Sequence, residues 1–420
     1  MAIGRAGFGK FSESREATFG AGAPGGVFTD AKHKGPLDGM LVPFKNIETD
    51  EAIRQSDVTI GAKQGLLHAD FDLTFHLWQT TSTPPVAAYV LADMPFVARL
   101  TGEFLGQEVV GGFTTMTAAA QAVDTLTVVA SATFYPGQAI MVEVGAATPK
   151  VWEISFITEI PDATHIKVAP SFSAAPTSST TVYGSYTAAQ LNNGKFAIAA
   201  SSHAFRYTSP EYKWDVQRKG CRPRTMGIKE NPRDFGEMTF GFSSAIYDDD
   251  TALVALPAES TFSRPLLPLA EGRFILANTA YAIKSSEYSG ASNIVPVLDP
   301  SSRTTEAIQD YVVGAARSSK WTVVLYLDNS AELHAQPFQT YYKNQTPVQA
   351  MLSFAKGPGY GYARQFGQAR IAEKPVYENT DGLATVKLVL EPGLLTTDVA
   401  TIGEGAGDTI INTPQRAAWL

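Results

Sequence analysis

The side chains from which catalysis or metal binding would have to be built are few: six histidines (His33, His68, His76, His165, His203, His334) and one cysteine, Cys221. None of the histidines forms a short-spaced ligand pair, and no H-E-x-x-H, paired cysteine or G-x-S-x-G pattern occurs. His68 and His76 share a face of a predicted strand, yet at ~3.3 Å per residue they stand about 27 Å apart, too far to hold one ion. The glycines of GRAGFGK and KGPGYGYAR suggest a phosphate cradle, but neither follows a hydrophobic strand and opens a helix, as that chemistry requires. Asp248-Asp249-Asp250 lacks the alternating oxygen ligands and distal Glu of a calcium loop and reads as a solvated turn. Arg218, Lys219, Arg222 and Arg224, with Trp214 nearby, could meet nucleic acid; pairing with carboxylates of a neighbouring subunit is preferred. The Asn344-Gln345-Thr346 sequon is common by chance. The expectation is a protein that is not an enzyme and needs no metal or cofactor.

The elements that would position any site are mostly strands. The 35 glycines, 25 prolines and recurrent Thr-, Val- and Ser-rich stretches favour short strands joined by tight turns. Residues 1 to about 60, rich in Gly, Pro and charge, read as an extended arm. In DVTIGAKQGLLHADFDLTFHLW, Phe71, Leu73, Phe75 and Leu77 alternate with Asp70, Asp72, Thr74 and His76, a strand with one apolar and one polar face. AAYVLADMPFVARLTGEF carries apolar residues at helical spacing, predicting one flanking helix. From 113 to 187 the texture changes to short, sparsely charged strand-like pieces separated by turn residues, the pattern of a small inserted β-sandwich or barrel that should project outward. GEMTFGFSS resumes the half-buried alternation at Met238, Phe240 and Phe242.

VTIGAKQGLLHADFDLTFHL corresponds in pattern to VVGAARSSKWTVVLYLD, and GCRPRTMGIKENPRDFGEMTFGF to GQARIAEKPVYENTDGLATVKLVLEP. The order and spacing suggest two copies of one domain, with chance similarity between strands as the alternative. The chain then divides into 1–112 and 188–265 as a first copy, 113–187 as the insertion and 266–420 as a second copy. A formal net charge of −8 excludes a protein that grips nucleic acid through its phosphates, though not a channel that lets DNA slide past. The single cysteine excludes an intrachain disulfide. The N-terminus lacks the apolar block of a secretory signal, and VLADMPFVARL is broken by Asp93, Pro95 and Arg99, so no membrane role is expected.

With its extended N-terminal segment, its early strand after a Gly-containing loop and its late NTDGLATVKLVLEPGL strand, the chain resembles the major tail tube proteins of long-tailed bacteriophages. That resemblance covers most of the chain outside the insertion. It implies a mainly β fold of two tube-type sandwich or barrel domains with a flanking helix, and an immunoglobulin-like character for the insertion. It also implies self-assembly into stacked rings, with a tape measure protein, a tail terminator and baseplate or distal tail proteins as partners. The protein would then reside in the virion tail, and in the host cytoplasm during assembly, while DNA passes through the lumen without specific binding.

On that reading Asp70, Asp72, Thr74, Glu237 and Thr239 of the first copy, and Thr322, Asp328, Thr385, Lys387 and Glu391 of the second, line the lumen as an acidic, mildly phosphate-repelling wall. The bland alternative is that they face solvent on an ordinary half-exposed sheet. A different class of function is also open, a fibre, baseplate or adhesin protein that binds a host glycan through 113–187, with Trp152 and Tyr183 as candidate aromatics.

Overall fold

The computed structural model describes residues 10–23, 29–30, 45–49, 62–67, 69–77, 96–145, 149–191, 202–209, 214–232, 234–248, 269, 272–292, 294–298, 308–313, 317–327, 337–380, 382–393 and 412–420. These residues form strands almost throughout. The first half runs through β1 (Lys10–Arg15), β2 (Thr29–Asp30), the hairpin β3 (Lys45–Thr49) and β4 (Ala62–Leu67), β5 (Ala69–His76) and helix α1 (Phe96–Leu105). After β6 (Gly106–Val110) come β7 (Phe113–Thr115), β8 (Thr125–Thr127), β9 (Ala139–Val144), β10 (Val151–Asp162), β11 (His165–Ala169) and β12 (Thr181–Gly184). β13 (Tyr186–Gln190) leads back to β14 (His203–Ser209), β15 (Trp214–Lys229), β16 (Glu237–Ser244) and β17 (Ile246–Asp248). The second half begins with β18 (Arg273–Leu276), β19 (Thr279–Tyr281), β20 (Ile283–Ala291), the hairpin β21 (Ile294–Leu298) and β22 (Ile308–Val313), and β23 (Ser318–Tyr326). It ends with helix α2 (Phe338–Asn344), β24 (Val348–Ala355), β25 (Gly361–Ile371), β26 (Val376–Thr380), β27 (Leu383–Gly393) and β28 (Gln415–Trp419).

The two halves repeat one pairing order. In the first, β1, β14, β15, β16 and β5 are successive antiparallel neighbours. In the second, β18, β24, β25, β27 and β23 follow the same order with the same polarity. A hairpin precedes β5 and β23, and a helix follows each. β17 and β28 occupy matching places beside the first parts of β15 and β25.

Each half is a curled sheet that closes over its own apolar face. The long strands β15 and β25 turn the corner, pairing with β14 or β24 in their first part and with β16 or β27 in their second. Phe71, Leu73, Phe75, Met238, Phe240 and Phe242 fill the first half, and Trp321, Val323, Leu325, Val386, Leu388 and Leu390 the second, in one continuous core. The period-two alternation puts these residues on one side of each strand. In α1, Val97, Leu100, Thr101, Phe104 and Leu105 are buried at helical spacing, and Gly106 at φ 98° ends the helix in the left-handed region.

β7 to β12 form a separate sheet in the order β7-β12-β9-β10-β11-β8, and a Met116–Val128 bridge brings its two ends together. This small closed barrel has its own core of Leu126, Val128, Phe134, Ile140, Val142, Ile157 and Ile166 among others. One sheet curling on itself answers to the barrel that the turn rhythm allowed, and differs from the two facing sheets of an immunoglobulin-like domain. Nor does the unit stand clear of the molecule. Ala139, Met141, Ile154 and Phe156 pack against Ile275, Met351, Ala355, Ala363, Ala418 and Leu420 of the second half.

One further expectation changes. β1 is not part of a free arm: it is a sheet strand with Phe11 in the core, because its short alternation supplies one apolar residue to a sheet completed by β14. The expected flanking helix is present as α1 over its described part, Phe96–Leu105, residues 78–95 lying outside the described residues, while α2 was not expected.

Candidate functional site: the polar wall and its joint

Seven strands from both halves form one continuous sheet in the order β5-β16-β15-β20-β23-β27-β26. From β5 to β27 one side is the shared core and the other carries the polar members of each alternation, while Val376 to Asn379 of β26 are exposed on both sides. Asp70, Asp72, Thr74 and His76 of β5 lie opposite Ser243, Gly241, Thr239 and Glu237 of β16. Next come Thr225, Gly227 and Lys229, then Ala291, Ser289 and Glu287, then Ser318, Lys320 and Thr322. Val324 and Tyr326 then face Lys387 and Thr385.

The expected wall residues therefore share a face, with qualifications. Asp70, Asp72, Lys387 and Glu391 are exposed, and Thr74, Glu237, Thr239 and Thr322 half-buried. Thr74 and Thr239 hydroxyls hydrogen-bond each other at 2.9 Å. Thr385 is on this side by register but is only 1% exposed, its hydroxyl directed at the Glu378 carbonyl of the adjoining hairpin strand, so it lines no open surface. Asp328 lies outside the described residues. Beside the expected Lys387, the face carries two further exposed cations among its carboxylates, Lys229 and Lys320. Lys229 is flanked in register by Glu237 on one side and Glu287 on the other.

The sheet passes from one half to the other where β15 pairs with β20. Behind that joint lies a buried polar network that no sequence pattern links. Glu230, at the end of β15, is fully buried and pairs with the Arg364 guanidinium of the second half. It also accepts from Ser286 Oγ at 2.7 Å, and Ser286 Oγ in turn accepts from Trp321 Nε1 at 2.8 Å. Arg364 donates to the Tyr362 hydroxyl at 2.8 Å and stacks over Tyr288, 4.4 Å from the ring centroid. Burial by itself would weaken the guanidinium's hold on its proton, but the Glu230 carboxylate outweighs it and raises the Arg364 pKa. On the wall side, an open trough of about 440 Å³ follows the joint, lined by Asp72, Thr225, Gly227, Thr239, Ser289 and Lys320.

The hairpin β21–β22 makes a second contact between the halves. Asp310 pairs with Arg222 at 2.6 Å, and the Tyr311 hydroxyl donates to the Ser244 carbonyl at 3.1 Å. Ile294, Ile308 and Tyr311 pack with Phe19 and Ala245. Arg224 pairs with Asp70 at 3.2 Å, and Arg218 is buried. The basic stretch thus finds partners within its own chain, where the sequence reading sent it to a neighbour.

At the outer end of the first half, His203 lies between two carboxylates, Glu103 of α1 and Glu13 of β1, the latter at 3.4 Å. Burial pushes its pKa down, but Glu103 and Glu13 together carry it up to about 9. Glu16 accepts from the backbone amides of Gly20, Gly22 and Gly220 and from Ser202 Oγ, tying the turn after β1 to β15. Gly220 at φ 62° has no room for a Cβ, which would fall 2.8 Å from the Phe19 ring. Cys221 is free and buried, and burial raises its thiol pKa well above the usual value. Trp152 and Tyr183 meet edge to face at 5.9 Å beside the contact between barrel and second half. Among the described residues no group of three or more His, Cys, Asp or Glu could hold a metal ion, and no helix is long and apolar enough to cross a membrane. No family model and no curated protein matches the chain.

Proposed function

We propose that this chain is a structural tube subunit of the kind it resembles in sequence, a major tail tube protein of a long-tailed phage. It self-assembles into stacked rings whose lumen carries DNA at ejection. The observation that carries this reading is the seven-strand wall built by two halves of the same strand order, with one apolar face closed inside the chain and one polar face left open. Two such halves per chain supply two tube-type domains, so three chains supply six, and the ring is a trimer with pseudo-sixfold symmetry.

The mixed charge of the wall suits a conduit. Carboxylates at Asp70, Asp72 and Glu237 oppose phosphate adsorption, and scattered Lys229, Lys320 and Lys387 form no continuous basic track. In this reading the subunit's partners are further copies of itself, a tape measure protein, a terminator and distal tail proteins; it uses no cofactor and catalyses nothing. The glycan-binding alternative draws less support, since Trp152 and Tyr183 are half-buried and pack beside the contact between barrel and second half. Negative-stain electron microscopy of the purified protein tests the proposal. Rings or tubes are expected, and dispersed monomers at every concentration would overturn it.

A further inference from the structure

The joint between the halves is thinly built. On the wall side β15 sets Thr225 and Gly227 against Ala291 and Ser289 of β20, and on the core side Met226 against Gly290 and Ile228 against Tyr288. Side chains this small interlock little, and the open trough runs along them. The apolar alternation excludes a slip of one residue, which would turn Met226 and Ile228 out to the wall. It does not exclude a slip of two, which keeps both inside and only brings Ile228 to Gly290 or Met226 to Tyr288. The hairpin contact is a weak guard, because the Asp310 side chain is 38% exposed where it meets Arg222 and water screens the pair.

Glu230 is what tells the alignments apart. Its amide donates to the Ser286 carbonyl at 2.9 Å, one step past the paired strands. Its carboxylate then meets three strands of the other half: Ser286 Oγ on β20, Arg364 and the Tyr362 hydroxyl on β25 and, through Ser286, the Trp321 indole on β23. All five residues are buried. A slip of two residues carries the carboxylate ~7 Å along β20, away from every one of these groups, and leaves it and the guanidinium unmatched in the core. We propose that the Glu230–Arg364 pair, with Tyr362 and Ser286, is the register key of the joint: it holds β15 against β20 in one alignment among those that the apolar pattern permits, and so sets the path of the wall from one half to the next. Its contribution is specificity in place of net stability, since apolar residues of like volume would fill the same space with no charge to desolvate. One consequence rests on the tube reading above: a slipped joint changes how far each chain advances the wall, and rings of unequal size result.

The test reads register with disulfides. Lys229→Cys with Glu287→Cys sets two thiols directly opposite, and Gly227→Cys with Glu287→Cys sets them on the diagonal, where Cα atoms about 7–8 Å apart do not bridge. Gly227 has room for the side chain, the nearest atom to an added Cβ being the Tyr288 carbonyl oxygen at 3.8 Å, and the native thiol Cys221 is buried. With the key intact only the opposed pair should oxidise. Replacing the key by Glu230→Leu with Arg364→Met should raise the diagonal disulfide roughly tenfold or more while the denaturant midpoint is kept. A diagonal yield that stays at its starting level would overturn the key, and a lowered midpoint alongside it would mark the pair as merely stabilising. Because the swap can block folding, hydrogen exchange on the unaltered chain gives a second readout. Amides shared by β15 and β20, that of Glu230 included, should exchange as slowly as those of β16 and β23. Exchange there roughly tenfold faster would overturn the key as well. In electron micrographs the swapped chain should give rings of mixed diameter; a risen diagonal yield with uniform rings, or with none, upholds the key and counts against the tube reading instead.

Discussion

The two halves share a strand order, yet their outer faces differ. In the first half, β1, β14 and β15 present Ser12, Arg206 and Asp215, with the Arg206 guanidinium donating to both Asp215 oxygens from Nε at 2.9 Å. In the second, β18, β24 and β25 present Ile275, Met351 and Ala363, and the inserted barrel lies over them. The barrel leaves the first half between α1 and β14 but covers the second, where the matching connection between α2 and β24 is only Gln345–Pro347. The face beneath the barrel is apolar, whereas its first-half counterpart at Ser12, Arg206 and Asp215 is buried as a polar one. The C-terminal strand takes part: β28 lies between β13, which leads out of the insertion, and β25, with Leu420 buried beneath the barrel.

The largest effect should come from removing the cover. Replacing Phe113–Gly184 by a short Gly/Ser linker bares Ile275, Met351, Ala363, Ala418 and Leu420 together. Loss of most of the soluble protein is expected, with rapid hydrogen exchange in β24 and β28 of what remains; a soluble, assembling deletion product would show that the contact is dispensable. Next is the joint. Glu230→Ala leaves the Arg364 guanidinium buried without its carboxylate and should cost about 3–5 kcal/mol in denaturant unfolding. Arg206→Ala, in the first half's outer pair, should cost a similar amount, and a markedly smaller loss would mark that face as the more plastic of the two.

A smaller and pH-dependent difference comes from His203, which has no counterpart in the second half. Its folded pKa of about 9 lies above the ordinary value of 6.5, so its contribution is complete below about 6.5 and falls away as pH rises through 9. Unfolding midpoints should decline between those limits, and His203→Gln should flatten the decline. At the small end, Lys320→Ala breaks an exposed pair with Glu373 on the wall rim and should change stability by less than about 1 kcal/mol.

Much of the strand content was legible because alternation survives in a single sequence: Phe71 to His76 and Met238 to Phe242 lie on the faces that their pattern implies. The correspondence between strands in the two halves was visible for the same reason. β20 was not, since IKSSEYSGA places Ser286 and Gly290 at inward positions and blurs the apolar rhythm. α2 is too short to show helical periodicity. The Glu230–Arg364 pair spans 134 residues and became visible only through the pairing of β15 with β20. Docking of the barrel was hidden because Met141, Ile154 and Phe156 read equally well as the interior of a free domain.

Cryo-electron microscopy of assembled protein, reconstructed with no more than threefold symmetry imposed, tests the central claim that one chain carries two equivalent wall units. Three chains per ring, six similar wall segments and a barrel over every second segment are expected. Six chains per ring, each contributing one segment to the lumen, would contradict it.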